Sequence, residues 1–257
     1  CNTPLTFKGV VFNEMKGAIS SINSTLWQTT CKFLYPTNTY HHNSGGDPTR
    51  IPDLTYDQFK EFYRVHYHPS NSIFITYGNI PAAEHQEKFD ALALSRFERL
   101  NCHIAVKDEE RYEAPKQFVE GYASNPSEPS DKKTHVIIAW LLGDSTNLEE
   151  TMQARLLSSV LLDHSGSPLM QALETSEFGT SPSPLCGLED SQKQLCFACG
   201  IEGSEEFFAD SVEQAILDVL KNVAENGLEE EQIAASLHQL ELQQREISAG
   251  RLPFGLN

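Results

Sequence analysis

The chain has 257 residues, 39 % of them hydrophobic and 21 % charged, with 19 Lys and Arg against 36 Asp and Glu for a formal net charge of −17. That length can bury the core of one large domain or two ordinary ones, and apolar residues in periodic runs exclude a disordered or collagen-like chain. The acid excess and the lack of any basic cluster argue against nucleic acid as a partner, and apolar runs such as Val136–Leu142 are far too short to span a membrane.

In chain order, Val11, Met15, Ala18, Ile19, Ile22 and Leu26 recur at helical spacing and predict a helix over 10–26. A competing reading makes Gly9–Phe12 extended and Asn13 the N-cap. Residues 31–47 are polar and turn-rich. Thr55 is a natural N-cap for a helix with Phe59, Phe62, Tyr63 and His66 on one face, stopped at His68-Pro69. Ser72–Tyr77 reads as a strand, and Pro81 as the first residue of a helix over 82–100. Residues 107–134, with Pro115, Pro126 and Pro129 and many charges, read as a linker in which 116–122 could still hold a strand. A strand over 135–142, helices over 148–164 and 168–176, strands near Leu188 and over 195–201, and a long helix capped by Ser204 and closed by Asn226-Gly227 follow. Glu229–Glu231 opens a last helix. Strands and helices mix without strict βαβ alternation, so the fold class is α+β.

The chemistry-bearing residues are few. Six cysteines are scattered; Cys196 and Cys199 form a C-x-x-C inside a strand, where residues three apart face opposite sides, so buried free thiols are expected rather than a zinc or redox pair. Scattered thiols and the lack of a signal segment suggest a reducing compartment. The opening Cys1-Asn2-Thr3 and the ending Leu252–Asn257 suggest a piece of a longer chain. None of the nine histidines lies four from another, the spacing that puts two zinc-binding rings on one helix face; His66 and His68, two apart at a helix end, read as structural. On spacing alone Glu14 is either a first-turn Glu after an Asn13 cap or a carboxylate at the edge of an apolar stripe, costly unless a partner or cation meets it.

Longer strings carry a resemblance. Leu5–Ala18, Asn43-Ser44-Gly45-Gly46-Asp47-Pro48, Ile51–Tyr56, Tyr67-His68-Pro69-Ser70-Asn71, Ala139–Thr146, Gly187-Leu188-Glu189-Asp190 and Arg245-Glu246 with Gly250–Leu256 resemble, in order, the presequence-protease branch of the pitrilysin/insulinase zinc peptidases. The resemblance implies two successive lobes of the family's α/β sandwich, the first incomplete: 1–106 as the end of the catalytic lobe, 107–134 as linker, and 135–257 as a second, non-catalytic lobe that could start near 115. It also implies an inverzincin site, in which H-x-x-E-H on one helix supplies two His ligands and a general-base Glu, and a Glu on a following helix, here Glu14, completes the zinc site. This chain has no H-x-x-E-H. The expectation is therefore a zinc metallopeptidase parent that degrades unfolded, preferentially basic peptides. Its remaining lobes are partners of this chain, which holds no catalytic residue and is inactive alone. The alternative is a non-catalytic binding or scaffold subunit of the same fold. Bacterial cytoplasm is the expected location, with the mitochondrial matrix second.

Overall fold

The computed structural model describes residues 9–101, 104–124 and 131–245. Its elements in chain order are α1 (Val10–Ala18), α2 (Ile22–Leu34), α3 (Tyr56–His66), α4 (Ala82–Leu92), β1 (Thr134–Asp144), α5 (Leu148–Leu162), α6 (Pro168–Glu174), β2 (Ser181–Pro182), β3 (Gly187–Glu189), β4 (Gln194–Ser204), α7 (Ala209–Asn226) and α8 (Glu230–Arg245), joined by loops and short 3-10 turns. The fold is α+β. Cys1, Cys102, His103 and the family-like stretches 5–8 and 246–256 lie outside the described residues.

The chain forms two compact units. One joins residues 9–48 to 107–242, and the other holds 49–106 with 243–245. The first unit is held together because α2 and the loop after it pack with the sheet of the second half, and Glu109 is buried in the same unit.

That sheet is antiparallel throughout. β4 is central, with β1 along one edge and the short β2 and β3 along the other. The register sets Val136 opposite Ile201, Ile138 opposite Cys199 and Trp140 opposite Phe197. These alternate residues face α5, α6 and α7, where Leu161, Leu169, Leu173, Val212 and Ile216 complete the core. Gly200 lets β1 approach: a Cβ there would stand 2.0 Å from the Val136 carbonyl oxygen. The other set on β4, Cys196 and Ala198, faces the side covered by α2, where Cys31 accepts a hydrogen bond from Gln192 Nε2 (3.5 Å). The fully buried Tyr35 ring donates its hydroxyl to the Gln194 carbonyl (3.2 Å).

The C-x-x-C behaves as strand geometry requires, with Cys196 and Cys199 on opposite faces, both buried and free. Burial pushes the Cys196 thiol up to about 12, with smaller contributions from Cys31 and Glu189, and Cys31 up to about 11; Cys199 is also pushed up, by burial first. The folded state therefore holds protons that the unfolded state releases from about pH 8.5. Their contribution to stability is full below that value and is lost as pH rises through 11 and 12. In Ellman titration at pH 8 these three thiols are expected to react only after unfolding, and urea midpoints are expected to fall steadily above pH 9.

Several expected elements differ. The single helix over 10–26 is two helices, because Ser20 bonds back to the Gly17 carbonyl (2.6 Å) and Ser21 caps α2 through Ser24 N (3.5 Å). α2 then runs to Leu34, into the expected turn region. The helix from Pro81 ends at Leu92, and Pro81 is its N-cap rather than its first residue. Ser204 ends β4 and donates to the Phe178 carbonyl (2.5 Å) instead of capping α7, which starts at Ala209 after a 3-10 turn. The 116–122 stretch is not a strand; Phe118 stacks on Phe33 of α2 with centroids 4.1 Å apart.

In the other unit, Thr55 makes the expected capping box with Gln58 at the start of α3. Its aromatic face is open rather than packed: Phe59, Phe62 and Tyr63 are all exposed. Ser72–Tyr77 has no strand partner among the described residues, and Ile73 and Ile75 are 91 % and 78 % exposed. No described helix is long and apolar enough to cross a membrane.

Candidate functional site

Glu14 sits in the second turn of α1. Gly9, extended at φ −172° and ψ 151°, is the N-cap, and its carbonyl accepts from Asn13 N (3.0 Å). The helix thus begins at Val10, and Asn13 is inside it rather than at its cap. Met15 anchors the helix: it is buried, and a Cβ on Gly45 would fall 1.9 Å from its sulfur. The family-like loop makes that seat. Asn43 Oδ1 accepts from Gly45 N (3.0 Å), its carbonyl accepts from Gly46 N (2.9 Å), and Gly46 takes a φ of 85° that favours glycine. With Met15 turned inward, Glu14 is left on the open side with the exposed Val10 and Val11, four and three residues back.

Among the described residues Glu14 makes no hydrogen bond or ion pair, so its carboxylate is available to a cation and fits one ligand position. The described residues supply no companion, because no three His, Cys, Asp or Glu cluster where a metal ion could be held. One carboxylate does not make a zinc site, which takes three or four ligands. His66 stacks on Phe62 (4.1 Å), and His68 Nδ1 accepts from Ser70 N (3.1 Å) at a 3-10 turn.

Two features escaped the sequence reading. Glu109, 4 % exposed, accepts from Thr37 N (3.0 Å), Thr37 Oγ1 (2.6 Å), Asn38 N (3.0 Å) and Glu110 N (3.1 Å). Its own N–H donates to Gln194 Oε1 (2.6 Å). Beside it Lys193 pairs with Asp108, and Arg111 donates to the Leu141 and Leu142 carbonyls (2.7 and 2.5 Å). The second is a cavity of about 260 Å³ on the α2 side of the sheet, walled by Trp27, Cys186, Gly187, Glu189, Cys196 and Ala198 among others. Glu109 lies in a charged stretch without a motif. Gly187 and Glu189 belong to a family-like string, but the cavity they line joins residues more than 150 positions apart, which that string does not reveal.

Comparisons with known proteins bear on both halves. Residues 53–240 match the family described as Peptidase M16 inactive domain. The mitochondrial presequence protease of Xenopus tropicalis is 38 % identical over 260 residues, covering 99 % of this chain and 25 % of that protein. Protein HypA of Clostridium perfringens is 33 % identical, covering 98 % and 26 %. The chain thus spans about a quarter of the length of the curated relatives it matches. A solved peptidase M16 inactive domain from Pseudomonas fluorescens superposes with a TM-score of 0.59 at 18 % identity, over 90 % of this chain and 53 % of that one. A Helicobacter pylori protease gives 0.59 at 16 %, over 92 % and 55 %. At those identities the structural likeness speaks for the fold.

Proposed function

The chain belongs to the peptidase M16 family, and from that premise we propose that it is part of a zinc-dependent metalloendopeptidase that degrades short unfolded peptides such as targeting presequences. Residues 1–106 are assigned to the end of the catalytic lobe and 135–257 to the following non-catalytic lobe. Glu14 is the carboxylate ligand this chain contributes, and two histidines of an H-x-x-E-H helix come from outside it. Bound zinc supplies Lewis-acid activation of water in such sites. The chain's own part is to hold the Glu14 carboxylate on a helix seated by Met15. The observation that carries the reading is the alignment of nearly the whole chain with presequence proteases, supported by a Glu14 that is exposed and unpartnered among the described residues. A bacterial cytoplasmic location fits this reading, with the mitochondrial matrix as the alternative; several relatives carry mitochondrial names and one is bacterial.

The test is zinc content and chelator-sensitive cleavage of a quenched basic peptide, on this chain and on the parent extended to include H-x-x-E-H. The chain alone is expected to be zinc-free and inert. The extended chain is expected to be active, and Glu14→Gln in it to lose zinc on dialysis. Stoichiometric zinc and cleavage in the chain alone would overturn the assignment. The inactive-domain description of residues 53–240 favours one other reading, a binding or scaffold subunit, which an extended chain inert at full zinc loading would support.

A further inference from the structure

We propose that the cavity between α2 and the β3–β4 edge is a pocket for the Lys or Arg side chain of an extended basic peptide, a substrate-class assignment that takes the carrier, though not the pocket, from the peptidase reading above. The register fixes its walls. Gly187 pairs with Ala198 and Glu189 with Cys196, while Leu188 pairs with Phe197 on the core face. Glu189 therefore shares the α2 side with the Trp27 wall.

Glu189 is half-buried, and its carboxylate accepts one hydrogen bond, from Ser191 N (2.8 Å). Among the described residues it has no cation partner; the neighbouring Asp190 takes Arg155, at 2.7 Å. Its unneutralised charge helps to push up the Cys31, Cys196 and Tyr35 protons, behind burial as the main cause. A half-buried carboxylate with no counter-charge among the described residues is open to a cation. Trp27, also half-buried, makes no ring or cation contact among the described residues. An indole face and a carboxylate in one cavity attract a cation on an apolar stem.

Size and backbone select the carrier. At about 260 Å³ the space is below the range of about 300–1,000 Å³ that holds a whole drug-sized ligand, and suits one side chain. β3 pairs only with β4 among the described residues, so its outer edge offers backbone groups to an extended peptide. A chain lying there can lower a basic side chain between Glu189 and Trp27.

The test titrates the 257-residue chain with a labelled extended peptide carrying one Arg among neutral residues, and with its neutral citrulline counterpart, by anisotropy. 19F NMR of 5-fluorotryptophan separates Trp27 from Trp140. The Arg peptide is expected to bind about tenfold tighter, the scale of one charge-assisted contact, and to shift the Trp27 resonance alone. Glu189→Gln, which keeps an acceptor for Ser191, should abolish the preference while leaving citrulline-peptide affinity unchanged; Trp27→Leu should weaken both peptides. Equal binding of the two peptides by the unaltered chain, a silent Trp27 resonance, or a surviving preference in a folded Glu189→Gln chain would each overturn the pocket. Competition by free arginine amide as strong as by the peptide would overturn the peptide as carrier. Zinc and cleavage play no part in these readouts. A failed pocket therefore leaves the peptidase reading intact, and a parent without proteolysis leaves the pocket standing.

Discussion

Glu109→Ala is expected to destabilise the larger unit by about 2–3 kcal/mol, because it removes a buried carboxylate that accepts four part-buried hydrogen bonds, each a net contribution of about 0.5–1.5 kcal/mol. The carboxylate gathers the backbone N–H groups of Thr37, Asn38 and Glu110 and the Thr37 hydroxyl, and these groups donate to no other described acceptor. A water that filled the space would recover part of the loss, so the size of the effect reads how dry the site is. Glu109→Gln is the informative partner. Its oxygen can keep the two bonds that Oε2 takes from Thr37 N and Asn38 N, while its NH2 group meets the Glu110 N–H donor with another donor. About half the loss is expected. Urea unfolding followed by the fluorescence of Trp140, whose ring lies 5.9 Å from Phe197 in this unit, checks both, with an unchanged m-value marking a shift in stability alone. An alanine variant with an unmoved midpoint would mean that Glu109 does not hold these segments.

Gly200→Ala is expected to cost about 3 kcal/mol or more, at the upper end of overpacking effects. The neighbours of the added methyl would be backbone: the Val136 carbonyl oxygen at 2.0 Å and Ile137 Cα at 2.9 Å. A flexible side chain could swing away, but a strand in register can yield only by separating from its partner. β1 and β4 would part at the centre of their ladder, where Ile137 faces Gly200. Gly17→Ala is the control, since a Cβ there meets nothing within 4 Å and a helical Gly→Ala change stabilises by up to about 1 kcal/mol. Soluble yield, Trp140 emission and hydrogen exchange along β1 separate the two outcomes. A Gly200→Ala chain with native exchange would show that the strands are held less closely than the distances imply.

What the sequence made legible was local. Thr55 with Gln58, the alternating β1 and β4, the apolar rows of α5 and α7, and Gly227 at the end of α7 each carry their cause within a few residues. The misplaced boundaries at 19–21 and 204–208 arose where serine hydroxyls compete for backbone groups, a contest that apolar periodicity does not register. Ser72–Tyr77 has strand composition, but pairing is a property of two segments and its neighbours do not supply the second. The candidate site divides the same way. Glu14 could be marked by resemblance and the seat of its helix by the Asn43–Gly46 string. Glu109, Trp27 and Glu189 depend on contacts between distant segments and left no periodic trace.

The bond from the Tyr35 hydroxyl to the Gln194 carbonyl joins residues 159 positions apart. Synthesis at about 5–20 residues per second separates the emergence of those residues by on the order of 10–30 s. During that interval α2, 13 residues long, has no sheet to lie on, and an isolated helix shorter than about 12–15 residues is marginal in water. The β4 strand that fixes its position is made only after α5 and α6. The segment bearing Trp27, Cys31 and Tyr35 is thus translated early and ordered late, and until then its apolar side is within reach of chaperones.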